Sequence, residues 1–326
     1  MAIDKAKHSA ESPLSLSGVT FVVLAALGFS GKAVLIKLAY VYPVDAATLL
    51  ALRMLFSLPF FLTVGLWSQY RCGQLPLARR DHVAVVALGL LGYYLASYLD
   101  FLGLQFVSAG LERLILFLYP TLVVVISALW LHRPIARREA CALLLSYGGI
   151  ALAFFHDSAT THGDVNLGAA LIFGSAFAFA LYLIGSGQLI LRLGANRFTA
   201  YAMTVSVVAV LTQFFLTHSP QALRQPLPVY WLSLAMAIVS TVLPAFLMSA
   251  GIRRIGSSRA ALIATIGPVS TILLAHVFLD ESVSAMQMLG TALVCAGTVM
   301  VSRRNGAQAK ADRFKLQSGA SRPEST

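Results

Sequence analysis

Charged residues are scarce in this sequence of 326 residues: Asp, Glu, Lys and Arg together make up 11% of it, whereas hydrophobic residues make up 58%. Soluble domains carry about 25% charged residues, because much of their surface must be polar. The shortage of charge therefore excludes an ordinary soluble domain. It indicates a protein whose natural solvent is the lipid bilayer.

The sequence also lacks the residue patterns of several functional classes. Its three cysteines, Cys72, Cys141 and Cys295, form no CxxC pair, so they indicate neither a disulfide framework nor a metal site. No HExxH, GxGxxG or P-loop pattern occurs. We therefore predict no cofactor, no metal and no ATP-driven step on this chain.

Long apolar runs are abundant instead, and runs of roughly 17–25 residues predict membrane-spanning helices. Ten occur, at about 17–38, 44–67, 83–105, 108–131, 137–155, 166–187, 198–216, 228–250, 258–279 and 284–301. We predict an all-α membrane protein with ten transmembrane helices. The polar tails, 1–16 and 302–326, are expected to lie in the cytoplasm, and the second is expected to be disordered.

The basic residues predict the orientation, because Lys and Arg accumulate on the cytoplasmic side of a membrane. With the N-terminus inside, 19 of the 24 Lys and Arg residues fall on the inner side, and only Arg224 falls in an outer loop. Both termini are thus expected in the cytoplasm. The formal charge of +11 reflects membrane orientation, so we predict a lipid environment and no nucleic-acid partner.

The two halves of the sequence match when one is shifted by 148 residues. The matched pairs are Gly103 with Gly251, Leu114 with Leu262, Ile115 with Ile263, Pro120 with Pro268, Leu131 with Leu279 and Gly149 with Gly297. Five helices per half is an odd number, so the second copy must enter the membrane upside down. We therefore predict two inverted five-helix repeats, 17–155 and 166–301, joined by a periplasmic connector at 156–165. Inverted repeats are typical of secondary transporters.

Three segments carry a family resemblance: AALGFSGKAVLIKLAY followed by LLALRMLF; GLQFVSAGLERLILFLYPTLVVVISALWLHR; and SAGIRRIGSSRAALIATIGPVSTILLAHVFLDES. With them the sequence resembles the EamA-type transporters of the drug/metabolite transporter superfamily. The resemblance implies export or exchange of metabolites across a bacterial inner membrane, with peripheral fifth and tenth helices that can support a homodimer. The family typically has an acidic residue after both the fourth and ninth helices. This chain has His132-Arg133 at the first place and Asp280-Glu281 at the second.

Charges inside the predicted helices are the strongest site candidates, since each costs about 2.5–3.5 kcal/mol at a helix centre on insertion scales. They are Lys32, Arg53, Asp100, Glu112 and Arg113, all in the first repeat. We predict that Lys32 and Arg53 attract an anionic group, while Asp100 or Glu112 pairs with them or carries a coupling proton. The alternative is that the acids neutralise the cations as structural ion pairs.

Aromatic, histidine and proline residues complete the candidates. Tyr94 and Tyr98 share a helix face and either stack on a substrate or satisfy helix contacts. Tyr182 stands opposite Lys32 at an offset of 150 residues, and Ala260 opposite Glu112 at 148. His276 is a candidate polar group of a cavity. The matched Pro120 and Pro268 are candidate hinges, with static kinks as the alternative.

These features predict a secondary transporter that works by alternating access, not an enzyme. Its substrate would be a small metabolite such as an amino acid or an organic anion, with a proton as a candidate coupling partner. A membrane-embedded enzyme or a sensor without transport are the alternatives. An enzyme would need clustered nucleophiles, metal ligands or paired carboxylates, whereas these charges are isolated in the sequence.

Overall fold

The computed structural model describes residues 16–72, 78–130, 137–160, 164–255 and 257–300, and every regular element in these ranges is helical. The prediction of an all-α protein is therefore confirmed. The α-helices in chain order are α1 (Leu16–Ala39), α2 (Ala46–Cys72), α3 (Arg79–Gly89), α4 (Ala96–Gly103), α5 (Ala109–Leu116), α6 (Tyr119–Trp130), α7 (Arg137–Thr160), α8 (Val165–Leu193), α9 (Ala195–Thr217), α10 (Leu227–Ala237), α11 (Leu243–Ile255), α12 (Ser257–Ala264), α13 (Ile266–Leu279) and α14 (Ala285–Met300).

Some of these helices join into longer spans. In the described ranges, nine spans are long and apolar enough to cross a membrane: Leu16–Ala39, Ala46–Trp67, Arg79–Gly103, Ala109–Trp130, Arg137–Ser158, Val165–Gly187, Arg197–Thr217, Leu227–Ile255 and Leu262–Leu279. They correspond to the first nine predicted helices. The predicted tenth, 284–301, coincides with α14, a shorter apolar helix, and stays a prediction as a membrane span.

Two of the spans contain a π-helical turn, and the two turns are 148 residues apart. Leu90–Leu95 separates α3 from α4, and Ile238–Val242 separates α10 from α11. A π turn locally widens the helix and is frequent at functional sites. Both turns thus interrupt the third span of their half at the same point of the sequence register.

A second pair of interruptions follows the same spacing. Phe117 lies in the break between α5 and α6, and Thr265 lies in the break between α12 and α13. The matched prolines fall in the first turn of the following helix, Pro120 in α6 and Pro268 in α13. The first turn tolerates proline because its N–H groups have no partner within the helix. The prolines therefore mark helix starts rather than kinks within continuous helices.

Matched glycines bring the two halves into contact. Gly103 of α4 lies against Ile172 of α8, and Gly251 of α11 lies against Val22 of α1. A methyl group at either glycine would overlap its neighbour, so each contact depends on the missing side chain. Each half thus packs its third span against the first span of the other half.

Glycines of α7 and α14 also serve contacts within the chain. Gly149 of α7 lies against the backbone of Gly290 in α14, and Gly297 of α14 lies against Ser146 and the backbone of Ala142 in α7. Small residues of this kind let helix backbones approach closely in a membrane. The small-residue faces of α7 and α14 are therefore buried against each other.

The second spans of the two halves begin in different ways. Asp45 caps α2, because its Oδ1 accepts the N–H groups of Ala47 and Thr48 at 2.9 and 3.0 Å. Partial burial works to raise the pKa of Asp45. Hydrogen bonds from Thr48 and Ala47 and the nearby His218 outweigh it and hold the pKa below its ordinary value of 3.8. In contrast, α9 begins after Gly194, at φ 78°, with no side-chain cap.

Candidate functional site

Charged side chains from three helices meet around Lys32 of α1. Its ammonium donates a hydrogen bond to Oδ2 of Asp100 in α4 at 2.6 Å, and it lies 3.2 Å from Oε1 of Glu112 in α5. The side chains of Asp100 and Glu112 are 3% and 0% exposed, whereas that of Lys32 is 16% exposed. We call these three residues the Lys32 cluster. Two carboxylates share one ammonium among the spanning helices, and part of the lysine side chain is exposed.

The position of Glu112 follows from how α5 begins. Ser108 caps the helix, and its N–H and Oγ donate to the two carboxylate oxygens of Asp157 in α7 at 2.7 and 2.6 Å. The N–H of Ala109 donates to the carboxylate of Glu281 at 3.0 Å. Acidic groups are favourable at a helix N-terminus, where free N–H groups and the helix dipole meet. The first turn of α5, which carries Glu112, is thus fixed from two sides.

Glu281 links the two halves of the chain. It follows α13, and besides its bond to Ala109 it lies 3.6 Å from Nζ of Lys37 in α1. Lys37, near the end of α1, therefore has an acidic partner. His132 and Arg133, at the matching place of the first half, lie outside the described residues.

Arg53 of α2 lies beside the cluster, 5% exposed. Its Nη2 donates to Oγ of Ser97 at 3.2 Å, and its guanidinium stands over the ring of Phe101, 5.0 Å from the centroid. Sequence reasoning missed Ser97 and Phe101 as site residues. Their signal is their spacing from Asp100: Ser97 is one helical turn away and Phe101 is adjacent.

Arg113 follows Glu112 but extends toward the second half. Its guanidinium lies 5.4 Å from the ring centroid of Phe117, at the break between α5 and α6. It also lies against Gly267 of α13, where an added Cβ would stand 3.0 Å from Nη2. The carbonyl of Gly267 in turn accepts a hydrogen bond from Oγ of Ser30 in α1 at 2.9 Å. The site therefore borders the broken helix of each half.

The aromatic candidates occupy two places. The rings of Tyr94 and Tyr98 are stacked, with centroids 6.4 Å apart, on the span that carries Asp100. Tyr182 of α8 is buried in an aromatic cluster instead: its hydroxyl donates to that of Tyr93 at 3.1 Å, and its ring stacks on Phe198. Tyr182 is thus equivalent to Lys32 in sequence but makes no polar contact with the Lys32 cluster.

His276 lies apart from the charged residues. It is an exposed residue of α13, and its Nδ1 is 2.9 Å from the carbonyl oxygen of Glu281. In the described part of the chain, no three His, Cys, Asp or Glu residues are placed to hold a metal ion. His276 is therefore placed beside the Glu281 contact and not in the Lys32 cluster.

Two cavities lie near these residues. A cleft of about 370 Å³ at the end of α1 is lined by Lys37, Tyr40, Val41, Val44, Leu104 and Gln105. Tyr40 connects it to the site, because its hydroxyl donates to the carbonyl of Phe101, the neighbour of Asp100, at 2.7 Å. A larger groove of about 410 Å³ between α2, α3 and α9 has a mainly apolar lining and contains none of the clustered charges. The cleft is thus the cavity next to the charged site.

The helices and the buried ions together define a polytopic membrane protein with an ionic site among its spans. The model of the EamA-like transporter family matches the chain twice, at residues 16–155 and 166–303. The chain therefore belongs to this family, as the sequence resemblance predicts.

Similar proteins agree with the family. The uncharacterized transporter YcbK of Bacillus subtilis is 31% identical over 306 residues, covering 91% of this chain and 95% of its own. The uncharacterized inner membrane transporter YicL of Salmonella typhimurium is 23% identical, with 80% and 86% covered. A crystal structure that is 18% identical matches with a TM-score of 0.60 over 88% of this chain and 98% of its own, which shows a shared fold.

Proposed function

We propose that this protein is a secondary transporter that carries a small metabolite, such as an amino acid or an organic anion, by alternating access and without ATP. The observation that carries the proposal is the Lys32 cluster, in a member of a transporter family. Ionisable residues buried at membrane depth are costly, and they usually mark substrate or ion pathways. The partial exposure of the Lys32 side chain supports such a pathway here.

The proposed architecture is ten spans in two inverted repeats, 17–155 and 166–301, with α14 as the tenth span. Three observations support it: the two π turns, the two helix breaks and the reciprocal glycine contacts all follow one sequence register. Both tails would lie in the cytoplasm and the connector 156–165 in the periplasm of a bacterial inner membrane. Reporter tags that place the two termini on opposite sides of the membrane would refute this arrangement.

The movement would occur at the seam between the halves. Arg113 and Ser30 of the first half both contact Gly267, two residues after the break at Thr265. Helix breaks near the middle of a membrane commonly form transport sites, because they free backbone groups and permit rearrangement. Pro120 and Pro268 would therefore act as a matched pair of hinges, and Tyr94 and Tyr98 would line the path next to Asp100.

The Lys32 cluster would also carry the coupling proton. Two neighbouring carboxylates that share one ammonium titrate as a coupled pair, so either of them could take up a proton. Binding a substrate at the cluster would change which carboxylate holds the proton. Exchange of that proton with one side of the membrane and then the other would couple transport to the pH gradient.

Direction and assembly complete the proposal. Export or exchange fits the family, and a homodimer is compatible with it. Because the glycine faces of α7 and α14 are packed against each other, a homodimer would have to use other surfaces.

The test is flux through purified protein in lipid vesicles. Vesicles preloaded with unlabelled amino acids or organic acids are exposed to the labelled compounds, with and without a pH gradient. We expect counterflow by the wild type, its loss in Lys32→Gln, and its retention in Arg254→Gln, which removes an exposed cation that lies over the ring of Phe21. Normal counterflow by a well-expressed Lys32→Gln protein would remove the cluster from the mechanism. Conversion of a compound without flux would indicate an enzyme.

A further inference from the structure

Two arginines in the spanning helices form no close ion pair among the described residues. Lys32 has two carboxylates within 3.2 Å, but within the described ranges none lies within 4.0 Å of the guanidinium nitrogens of Arg53 or Arg113. A buried charge is usually paired or coordinated, since removing it from water is expensive. These two cations are therefore the unusual feature of the site.

The surroundings of Arg53 leave most of its donors free. A guanidinium carries five N–H donors, and Arg53 uses one of them, at 3.2 Å, on Ser97. Its Nε is buried without a hydrogen-bond partner, and its Cζ lies over the ring of Phe101. The guanidinium is thus supported by Ser97 and Phe101, and its other donors stay available for an acceptor.

Arg113 has a comparable arrangement on the other side of Glu112. Its Nε is also buried without a hydrogen-bond partner, and its Cζ lies over the ring of Phe117. The absence of a side chain at Gly267 makes the space that the guanidinium occupies. Both arginines therefore combine an aromatic support with unused donors.

The charges of the site do not balance. Lys32, Arg53 and Arg113 supply three cations against the carboxylates of Asp100 and Glu112, which leaves a surplus of one positive charge when all are ionised. Arg53 interacts electrostatically with Asp100, and Arg113 interacts with Glu112 and less strongly with Asp100, but both carboxylates already lie against Lys32. One further anion near Asp100 would neutralise the site and could accept the free donors.

We propose that Arg53 and Arg113 form the anion-binding element of the site and that the substrate carries a carboxylate group. This inference rests on the proposed function for its transport role, and it moves the recognition of the anion from Lys32 to the arginines. Guanidinium and carboxylate groups match in geometry and form paired, charge-assisted hydrogen bonds. A carboxylate would thus be selected over its neutral amide, which supplies no charge.

The test compares acids with their amides as ligands of the purified protein. The probe pairs are benzoate and benzamide, succinate and succinamide, and leucine and leucinamide, each titrated to about 10 mM, above the usual range of substrate affinities. Binding to the folded state raises the melting temperature in detergent by mass action. We expect at least one acid to raise it and the matching amide to have no effect.

Variants locate the effect. Arg53→Gln and Arg113→Gln should each weaken binding of the acid by about tenfold or more. Arg53→Lys and Arg113→Lys keep the charge but lose the paired geometry, so they should retain part of the binding of the acid. If the glutamine variants do not fold, the lysine variants test whether the arginines bind the acid. Arg254→Gln is the matched control, because exposed Arg254 also stacks on an aromatic ring, 4.6 Å from the centroid of Phe21.

The outcomes separate the two proposals. Selective binding of an acid that depends on both arginines, without flux in vesicles, would support the anion site and refute transport. Flux of neutral or cationic compounds only would support transport and refute the anion site. Equal shifts by acids and amides, undiminished binding in the arginine variants, or no shift by any acid would overturn the anion site.

Discussion

The two halves of this protein share their helix geometry but differ in the polar groups they bury. The first half holds the Lys32 cluster and two arginines, whereas the described second half buries hydroxyl groups such as Ser233, Ser240 and Thr271, with Arg197 at the end of a span. Tyr182 and Ala260 stand where the first half has Lys32 and Glu112. Because the second half forms the same interrupted spans without these charges, the geometry does not require them. The comparison teaches that the first-half charges serve the site more than the fold.

The largest difference in stability loss between the two halves should appear when Lys32 and Tyr182 are substituted. Lys32→Gln leaves two buried carboxylates without their ammonium, and breaking a buried ion pair costs about 3–5 kcal/mol. Tyr182→Phe removes one hydrogen bond, to Tyr93, and should cost about 1 kcal/mol. Unfolding in mixed detergent micelles measures both changes. Equal losses of stability would contradict the expected penalty for leaving the two carboxylates without their ammonium.

Substitutions at the glycine contacts should instead show that the two halves pack in the same way. Gly103→Ala and Gly251→Ala place a methyl group against Ile172 and Val22, and overpacking of this kind costs about 1–3 kcal/mol. We expect similar losses at both sites in the same unfolding assay. Gly148→Ala is the control: open space surrounds this position, so the change should be neutral or stabilise the helix by up to about 1 kcal/mol. A loss at only one of the two contacts would show that the interfaces are not equivalent.

The matched prolines test whether the likeness extends to movement. Pro120→Ala and Pro268→Ala permit a more continuous helix across each break and should slow counterflow by about threefold to tenfold, equivalent to about 0.7–1.4 kcal/mol in the barrier. Ligand affinity should change less than the rate. Pro59→Ala, at an exposed proline within α2, is the control and should leave the rate unchanged. Rates that stay at the wild-type value in both variants would identify the prolines as static helix starts.

The smallest effect should come from the capped start of α2, which α9 lacks. Asp45→Ala should cost about 1 kcal/mol at neutral pH, the usual value of an N-cap. Since the pKa of Asp45 is lowered in the folded protein, its stabilisation is present above the ordinary value of 3.8 and is lost as the pH falls through the lowered value. The gap between wild-type and variant melting temperatures should therefore narrow below about pH 4. Asp45→Asn keeps the acceptor and should cost less, with a gap that is less dependent on pH.

Much of the fold follows from the sequence because lipid imposes simple rules. The apolar runs predict the nine observed spans, and the register through Gly103 and Gly251 predicts positions that prove to be matched contacts. The cost of an intramembrane charge identifies Lys32, Asp100 and Glu112 together. The sequence alone cannot tell which acid meets which cation, since that depends on how the helices rotate against one another.

Other features depend on contacts that no local pattern encodes. Tyr182 aligns with Lys32, yet equivalence in sequence does not make two side chains face the same cavity, and Tyr182 packs into aromatic rings. Glu281 is remote in sequence from Ala109, and its role at the start of α5 arises only when α13 ends beside that helix. The site candidates themselves stay predictions until binding or flux is measured.

The reciprocal glycine contacts also set an order of events during synthesis. Val22 contacts Gly251, so α1 lacks this partner until about 230 further residues have been made. At about 5–20 residues per second, their synthesis takes roughly 10–45 s. Asp100 and Glu112 leave the ribosome much earlier in that interval. The lysine of the first helix can therefore acquire its counter-charges inside the first half, long before the closing helices of the second half reach the insertion machinery.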